Sequence, residues 1–167
     1  MGCSSRKVFK GLSRFNPAVN ELFFAKNVLV VEGPEDLIAV TETLKKIDKV
    51  KVRAEELEYT VLVAGGKQAI PFFQRVMNAF QMSYKVLHDV DITDEMPEND
   101  RNSNQQINNL IRALAGKNAI HTFPVKLEKT IGIDCHLKDQ YKANEFFSSV
   151  ENITPDLEEI VSGLFGG

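Results

Sequence analysis

The chain has only two cysteines, no apolar run long enough to cross a bilayer and no surplus of positive charge, and each shortage excludes something. Cys3 and Cys135 supply neither a disulfide framework nor a metal-ligand spacing, so both read as reduced thiols of a cytoplasmic protein. No stretch nears the roughly 18 consecutive apolar residues that a membrane helix needs, and no signal peptide is visible, so no membrane partner is expected. The start, MGCSSR, approaches a myristoylation signal but puts Arg6 where that signal requires Ser or Thr. A formal net charge of −3 argues against a module that coats DNA with a broad basic surface. It leaves room for an enzyme that grips phosphates locally or through another domain. A phosphate-binding G-x-x-x-x-G-K-(S/T) run is also missing, because GGKQ and AGKN lack both the earlier glycine and the following Ser/Thr.

What is present suits one compact domain, since 43% of the 167 residues are hydrophobic and can form a sizeable core. Asn27 to Val31 is a continuous apolar run of the kind buried on both faces of a sheet. Pro34 then stands where a first helical turn tolerates it, and a helix is expected to about Lys46. A charged connection leads to YTVLVAGG, a second strand, and KQAIPFFQRVMNAFQ reads as a helix with Ile70, Phe73, Val76, Met77 and Phe80 on its core face. YKVLHDVD is the third strand, TDEMPENDRNSN a polar loop, QQINNLIRALAG a helix and AIHTFPV a fourth strand. Two further helices are expected near residues 137–150 and over TPDLEEIVSGLF, the second capped by Thr154. The expected division is a leader or linker (1–16), an α/β domain (17–134, opening with a short helix over 17–26) and a helical extension (135–167). Alternating strands and helices imply a mostly parallel sheet of about four strands, with helices on both faces and the functional crevice at the strands' carboxyl ends.

Acidic residues collect at that end. Glu32 follows the first strand, Asp89 and Asp91 end the third, and alternation along a continuing strand would point both aspartates to one side. Carboxylates crowded at adjacent strand ends repel and lose hydration, so a cation between them is expected. Magnesium or manganese suits such hard oxygen ligands. Glu35 and Asp36 stand one helical step beyond Glu32 and offer a second ion, although either acid alone also suits a helix N-terminus. Two ions about 3.5–4 Å apart would clamp the attacking and leaving oxygens of a phosphodiester. Asp94, Glu95, Glu98 and Asp100 read as solvated loop. Lys67, after Gly65-Gly66, combines an ammonium with exposed helix-start amides that would steady a phosphate; an unpaired surface lysine is the bland alternative. His88 reads as packed behind the acids, His121 as facing a helix and His136 as surface.

Taken in order, the E-G-x-x-(E/D) turn at Glu32–Asp36, the G-G-K turn at Lys67 and the D-x-D at Asp89–Asp91 resemble the Toprim domain (a Rossmann-like fold). That domain is shared by topoisomerases, bacterial primases, recombination-repair proteins and nucleases. Over residues 17–130 the resemblance is to the C-terminal nuclease domain of overcoming-lysogenization-defect (OLD) endonucleases. It implies divalent-metal-dependent, two-ion cleavage of DNA, with Glu32, Asp89 and Asp91 as the acidic core. It also implies a second-ion ligand at Asp36, where the family usually has the longer Glu, and another acid at Glu128. A transition-state lysine falls at Lys142, though QYKANEFF departs from the family's pattern there. OLD proteins usually join this domain to an ATPase domain. The chain therefore reads as the nuclease half of a longer protein or a stand-alone relative, with an ATPase domain or subunit as partner and self-association open. Two other readings stay open: a receiver-type signalling domain phosphorylated on Asp89, and a non-catalytic Toprim fold used for docking.

Overall fold

The computed structural model describes residues 24–47, 59–134, 136–137, 139–151 and 153–165. The expected leader, most of the helix over 17–26, the greater part of the charged connection, Cys3 and Cys135 lie outside these residues. In chain order the elements are β1 (Asn27–Val31), α1 (Pro34–Ile47), β2 (Tyr59–Val63), a 3₁₀ turn (Lys67–Ala69), α2 (Ile70–Ala79), β3 (Ser83–Asp89), α3 (Glu98–Ala115), β4 (Ala119–Phe123), α4 (Leu127–Thr130), α5 (Gln140–Ser149) and α6 (Pro155–Phe165).

The four strands form one parallel sheet in the order β2-β1-β3-β4, as the alternation of strands and helices implies. Side chains alternate across it and both faces are covered. Val28 and Val30 of β1 join Leu62, Tyr84 and Val86 beneath α2 and α3, which contribute Ile70, Phe73, Met77, Ile107 and Ile111. Leu29 and Val31 turn the other way, with Leu87 and Phe123, against α1, α5 and α6. Burying each such aliphatic side chain contributes about 1.5–3 kcal/mol, so the apolar run of β1 is explained by a double-sided core. The two C-terminal helices share that second core through Ala143, Phe147, Leu157, Val161 and Leu164. Lys46 of α1 also donates to the carbonyls of Phe147 and Val150, which ties α1 to the end of α5.

Three local expectations are corrected. Helix α3 begins at Glu98, inside the segment read as loop. Glu98 and Asp100 sit in its first turn, where the helix dipole favours acids, and the Arg101 guanidinium folds the preceding loop back by donating to the carbonyls of Thr93 (2.9 Å) and Asp94 (2.7 Å). Phe80 is 62% exposed, because α2 ends at Ala79 and releases it from the core face. Strand β3 stops at Asp89, so Asp91 does not lie on a continuing strand.

The strand order has a consequence for function. The chain leaves β1 toward β2 on one side and reaches β3 on the other, so a switch point lies between β1 and β3, where crevices open in such sheets. Fully buried Leu157 tests how firmly α6 belongs to the core. Leu157→Ala should cost about 2–5 kcal/mol in denaturant unfolding. Leu110→Ala, at a partly exposed position of α3, should change stability by less than about 0.5 kcal/mol.

Candidate metal centre

The switch point is occupied by carboxylates. Glu32 directly follows β1, Asp89 ends β3, and Asp91 stands two residues further on. One carboxylate oxygen from each lies within 4.8 Å of the others. They open onto a cavity of about 190 Å³ that Asp36, Glu128, Lys126 and His136 also line.

Each of the three is held by a different neighbour. The Gly65 and Gly66 amides donate to the Glu32 carbonyl at 3.0 and 2.9 Å, a wrap that needs φ of 77° and 112° and hence glycine. Those two amides are therefore spent on the Glu32 carbonyl and are not free for a phosphate. Asp89 Oδ1 accepts the Leu127 amide at 3.0 Å, so the start of α4 orients it. Asp91 has φ of 53°, the left-handed region that Asp tolerates better than most side chains. That turn, and not strand alternation, brings its carboxylate to the other two. Its Oδ2 accepts from Lys67 Nζ at 2.8 Å, and the same ammonium donates to the Val90 carbonyl at 3.2 Å. Lys67 is thus buried and paired, not an unpaired surface lysine.

The electrostatics are those of acids short of counter-charge. Burial raises the Glu32 pKa, with Asp91 adding to it and Lys67 opposing. Glu32 Oε2 is buried with no hydrogen-bond partner among the described residues. Burial also lifts Asp89 to about 8, with Asp36, Glu32 and Asp91 adding to it. Asp36 is likewise raised to about 8, chiefly by burial, although its Oδ2 accepts the Gly33 amide at 2.8 Å. Glu128 behaves differently. Burial pushes its pKa up, but its own amide, the Leu137 amide and Lys126 together bring it below the ordinary value. Its Oε1 accepts the Leu137 amide at 3.1 Å and lies 3.4 Å from His136 Nδ1. An orphaned buried oxygen within a set of hard carboxylates is what a small divalent cation would satisfy, so Glu32, Asp89 and Asp91 fit such an ion.

The structure therefore brings six of the expected acids, Glu32, Glu35, Asp36, Asp89, Asp91 and Glu128, around one cavity, with Lys67 attached through Asp91. Lys142 is exposed in the first turn of α5 and does not line that cavity. Lys126 and His136 do line it, with Lys126 Nζ 3.5 Å from His136 Nδ1. Nothing in the sequence marks either, because the turn from β4 into α4 carries Lys126 to the acids and the segment after α4 carries His136 there. His88 is buried, and its Nδ1 sits 2.7 Å from the Asp89 carbonyl. Since a carbonyl only accepts, that nitrogen carries the proton; burial depresses the pKa, so the ring packs as neutral imidazole. His121 faces α6 at Gly163.

These shifts set a pH dependence. Without metal, the folded chain retains protons on Asp36 and Asp89 that the unfolded chain has released. The stabilising contribution of these groups is complete below the ordinary value of 3.8 and is lost as pH rises toward about 8. In EDTA the melting temperature should fall between about pH 5 and about pH 8.5, and added Mn²⁺ should largely abolish the fall. Asp89→Asn keeps the oxygen that accepts from Leu127 but removes a charge. It should melt higher than wild type in EDTA at about pH 8.5 and lose the Mn²⁺-induced rise.

Residues 23–91 match the family model "Overcoming lysogenization defect protein-like, TOPRIM domain". Over 157 residues, 87% of the chain, the sequence is 29% identical to an OLD nuclease of Thermus scotoductus, and it spans 29% of that protein's length. Among solved structures, the chain is similar to the C-terminal region of the Burkholderia pseudomallei OLD protein, with a TM-score of 0.46, 15% identity and coverage of 86% of this chain and 83% of that one. The corresponding region of the Xanthomonas campestris pv. campestris OLD protein gives 0.43, 14%, 87% and 80%. By sequence, residues 23–91 are similar to Toprim domains of the overcoming-lysogenization-defect type.

Proposed function

We propose that this chain is a divalent-metal-dependent DNA endonuclease domain that hydrolyses phosphodiesters. The observation that carries the reading is the convergence of Glu32, Asp89 and Asp91 at the switch point, with a buried Glu32 oxygen lacking any partner among the described residues. The family match supports nucleic acid as the substrate class. Mg²⁺ or Mn²⁺, when bound, supplies charge stabilisation at the phosphate and lowers the pKa of a coordinated water.

The chain's own groups divide the remaining work. Glu32, Asp89 and Asp91 would hold the first ion, and Asp36 and Glu128, which line the same cavity, would offer ligands to a second. Lys67 holds Asp91 in place and offsets part of the acidic charge. At the rim, Lys126 and His136 stand where non-bridging phosphate oxygens would meet donors. With a net charge of −3, the chain's own DNA affinity is modest, and an attached ATPase domain or self-association supplies the rest. On this reading residues 17–134 are the Toprim unit and 135–167 its helical extension.

Nicking of supercoiled plasmid tests it. Cleavage is expected in Mn²⁺ or Mg²⁺ and not in EDTA, with Glu32→Gln and Asp89→Asn each slower by more than about 100-fold. Plasmid left intact by folded chain in every metal would sink the proposal. Lys126→Gln should raise KM for DNA several-fold while leaving Mn²⁺ affinity unchanged; an unaltered KM would remove Lys126 from phosphate binding.

A further inference from the structure

Asp91 is the triad member that lies off the sheet, and its place is set from α3, a helix whose first half reads as polar loop in the sequence. We propose that Asn104 and Asn108 are positioning residues of the metal centre: their side-chain amides hold the Val90 and Asp91 carbonyls so that the Asp91 carboxylate meets those of Glu32 and Asp89. The inference rests on the metal-centre reading above and deepens it.

Asn104 Nδ2 donates to the Asp91 carbonyl at 2.6 Å, and Asn108 Nδ2 donates to the Val90 carbonyl at 2.9 Å. The two stand four residues apart and so leave the same face of α3. Carbonyl oxygens only accept, which fixes the orientation of both amides. The opposite edge of the turn is held from the end of β4. There the Val90 amide donates to the Phe123 carbonyl at 3.1 Å and the Asp91 amide to the Val125 carbonyl at 2.8 Å. Every polar backbone group of Val90 and Asp91 is thereby engaged, with Asp91 held at φ of 53°.

Packing alone does not account for these asparagines. Asn108 is 7% exposed and its Oδ1 has no partner among the described residues, a burial that leucine of similar volume would avoid. What Asn108 does that leucine would not is grip the Val90 carbonyl. Without the two amides, the turn keeps its backbone bonds to Phe123 and Val125 and the Lys67 ammonium on the Val90 carbonyl and Asp91 Oδ2. It loses its tie to α3, however, and the Asp91 carboxylate is placed less sharply against the other two. Groups that orient metal ligands in this way typically change metal affinity by about 10–100-fold when removed.

The test is Mn²⁺ affinity of the full 167-residue chain, by calorimetry and by the EPR signal of free Mn²⁺, with no DNA present. Asn104→Leu, Asn108→Leu and the double variant are compared with Gln74→Leu. Gln74 is a matched control, because its buried amide donates to the Ile111 carbonyl of the same helix at 2.9 Å without touching the turn. Each asparagine substitution should raise the Mn²⁺ Kd about 10-fold or more, while Gln74→Leu leaves it unchanged. Unchanged affinity in the asparagine variants overturns the inference. So does equal weakening in Gln74→Leu, which would mean only that α3 had loosened. Wild-type chain that takes up no Mn²⁺ would overturn the metal-centre reading itself. If the double variant does not melt cooperatively, Asn104→Leu, at a half-buried position, decides alone.

Discussion

A carboxylate removed from water stays charged only beside a counter-charge, and this chain gathers several at one point of its sheet. The parallel order β2-β1-β3-β4 makes that unavoidable, because the ends of β1 and β3 are neighbours and each leads into acid. Within that group the described residues offer a single buried cation, Lys67, already committed to Asp91. Asp89 and Asp36 respond by holding protons well above the ordinary carboxylate range. Much of the surrounding architecture is a way of keeping these groups together despite their repulsion.

The means are mostly backbone contacts. Two glycine amides fasten the Glu32 carbonyl, the first amide of α4 orients Asp89, and side-chain amides from α3 hold the Asp91 turn. Each hydrogen bond contributes only about 1 kcal/mol net, but every one constrains a direction, which matters more here than energy. The apolar layers supply the stability against which these constraints act. α1, α5 and α6 press on one face of the sheet, α2 and α3 on the other.

The cavity is acidic on its floor and basic at part of its rim, where Lys126 and His136 stand. Such a division suits an anionic substrate met through a cation bound below it. It also reconciles a chain of net charge −3 with the phosphodiester substrate proposed above, since the attraction would be local and the rest of the surface need not be basic. The chain spans 29% of its OLD nuclease relative from Thermus scotoductus, which accords with the proposal that DNA affinity comes partly from elsewhere.

The apolar run of β1, the alternation of strands with helices and the acids at Glu32, Asp89 and Asp91 were legible because they are local patterns. Period and polarity alone show which segments are strands and which residues end them. The acidic core is readable for the same reason, since a charged residue after a buried strand stands out in one dimension. Less local features were not. That α3 starts at Glu98 depends on Arg101 reaching back to the loop, and on Asn104 and Asn108 finding carbonyls 13 and 18 residues back, just past β3. A run of polar residues looks like loop until those partners are known. Lys67 reads as a phosphate-steadying ammonium or as an unpaired surface lysine until the sheet brings Asp91 beside it, and His136 lies eight residues from Glu128 with no spacing to announce their pairing. Sequence by itself determined the strands, the fold class and the acids that end β1 and β3, because burial and charge are written residue by residue. Tertiary structure alone decided how Asp91 turns and which cation meets it, because hydrogen bonds between distant segments set both.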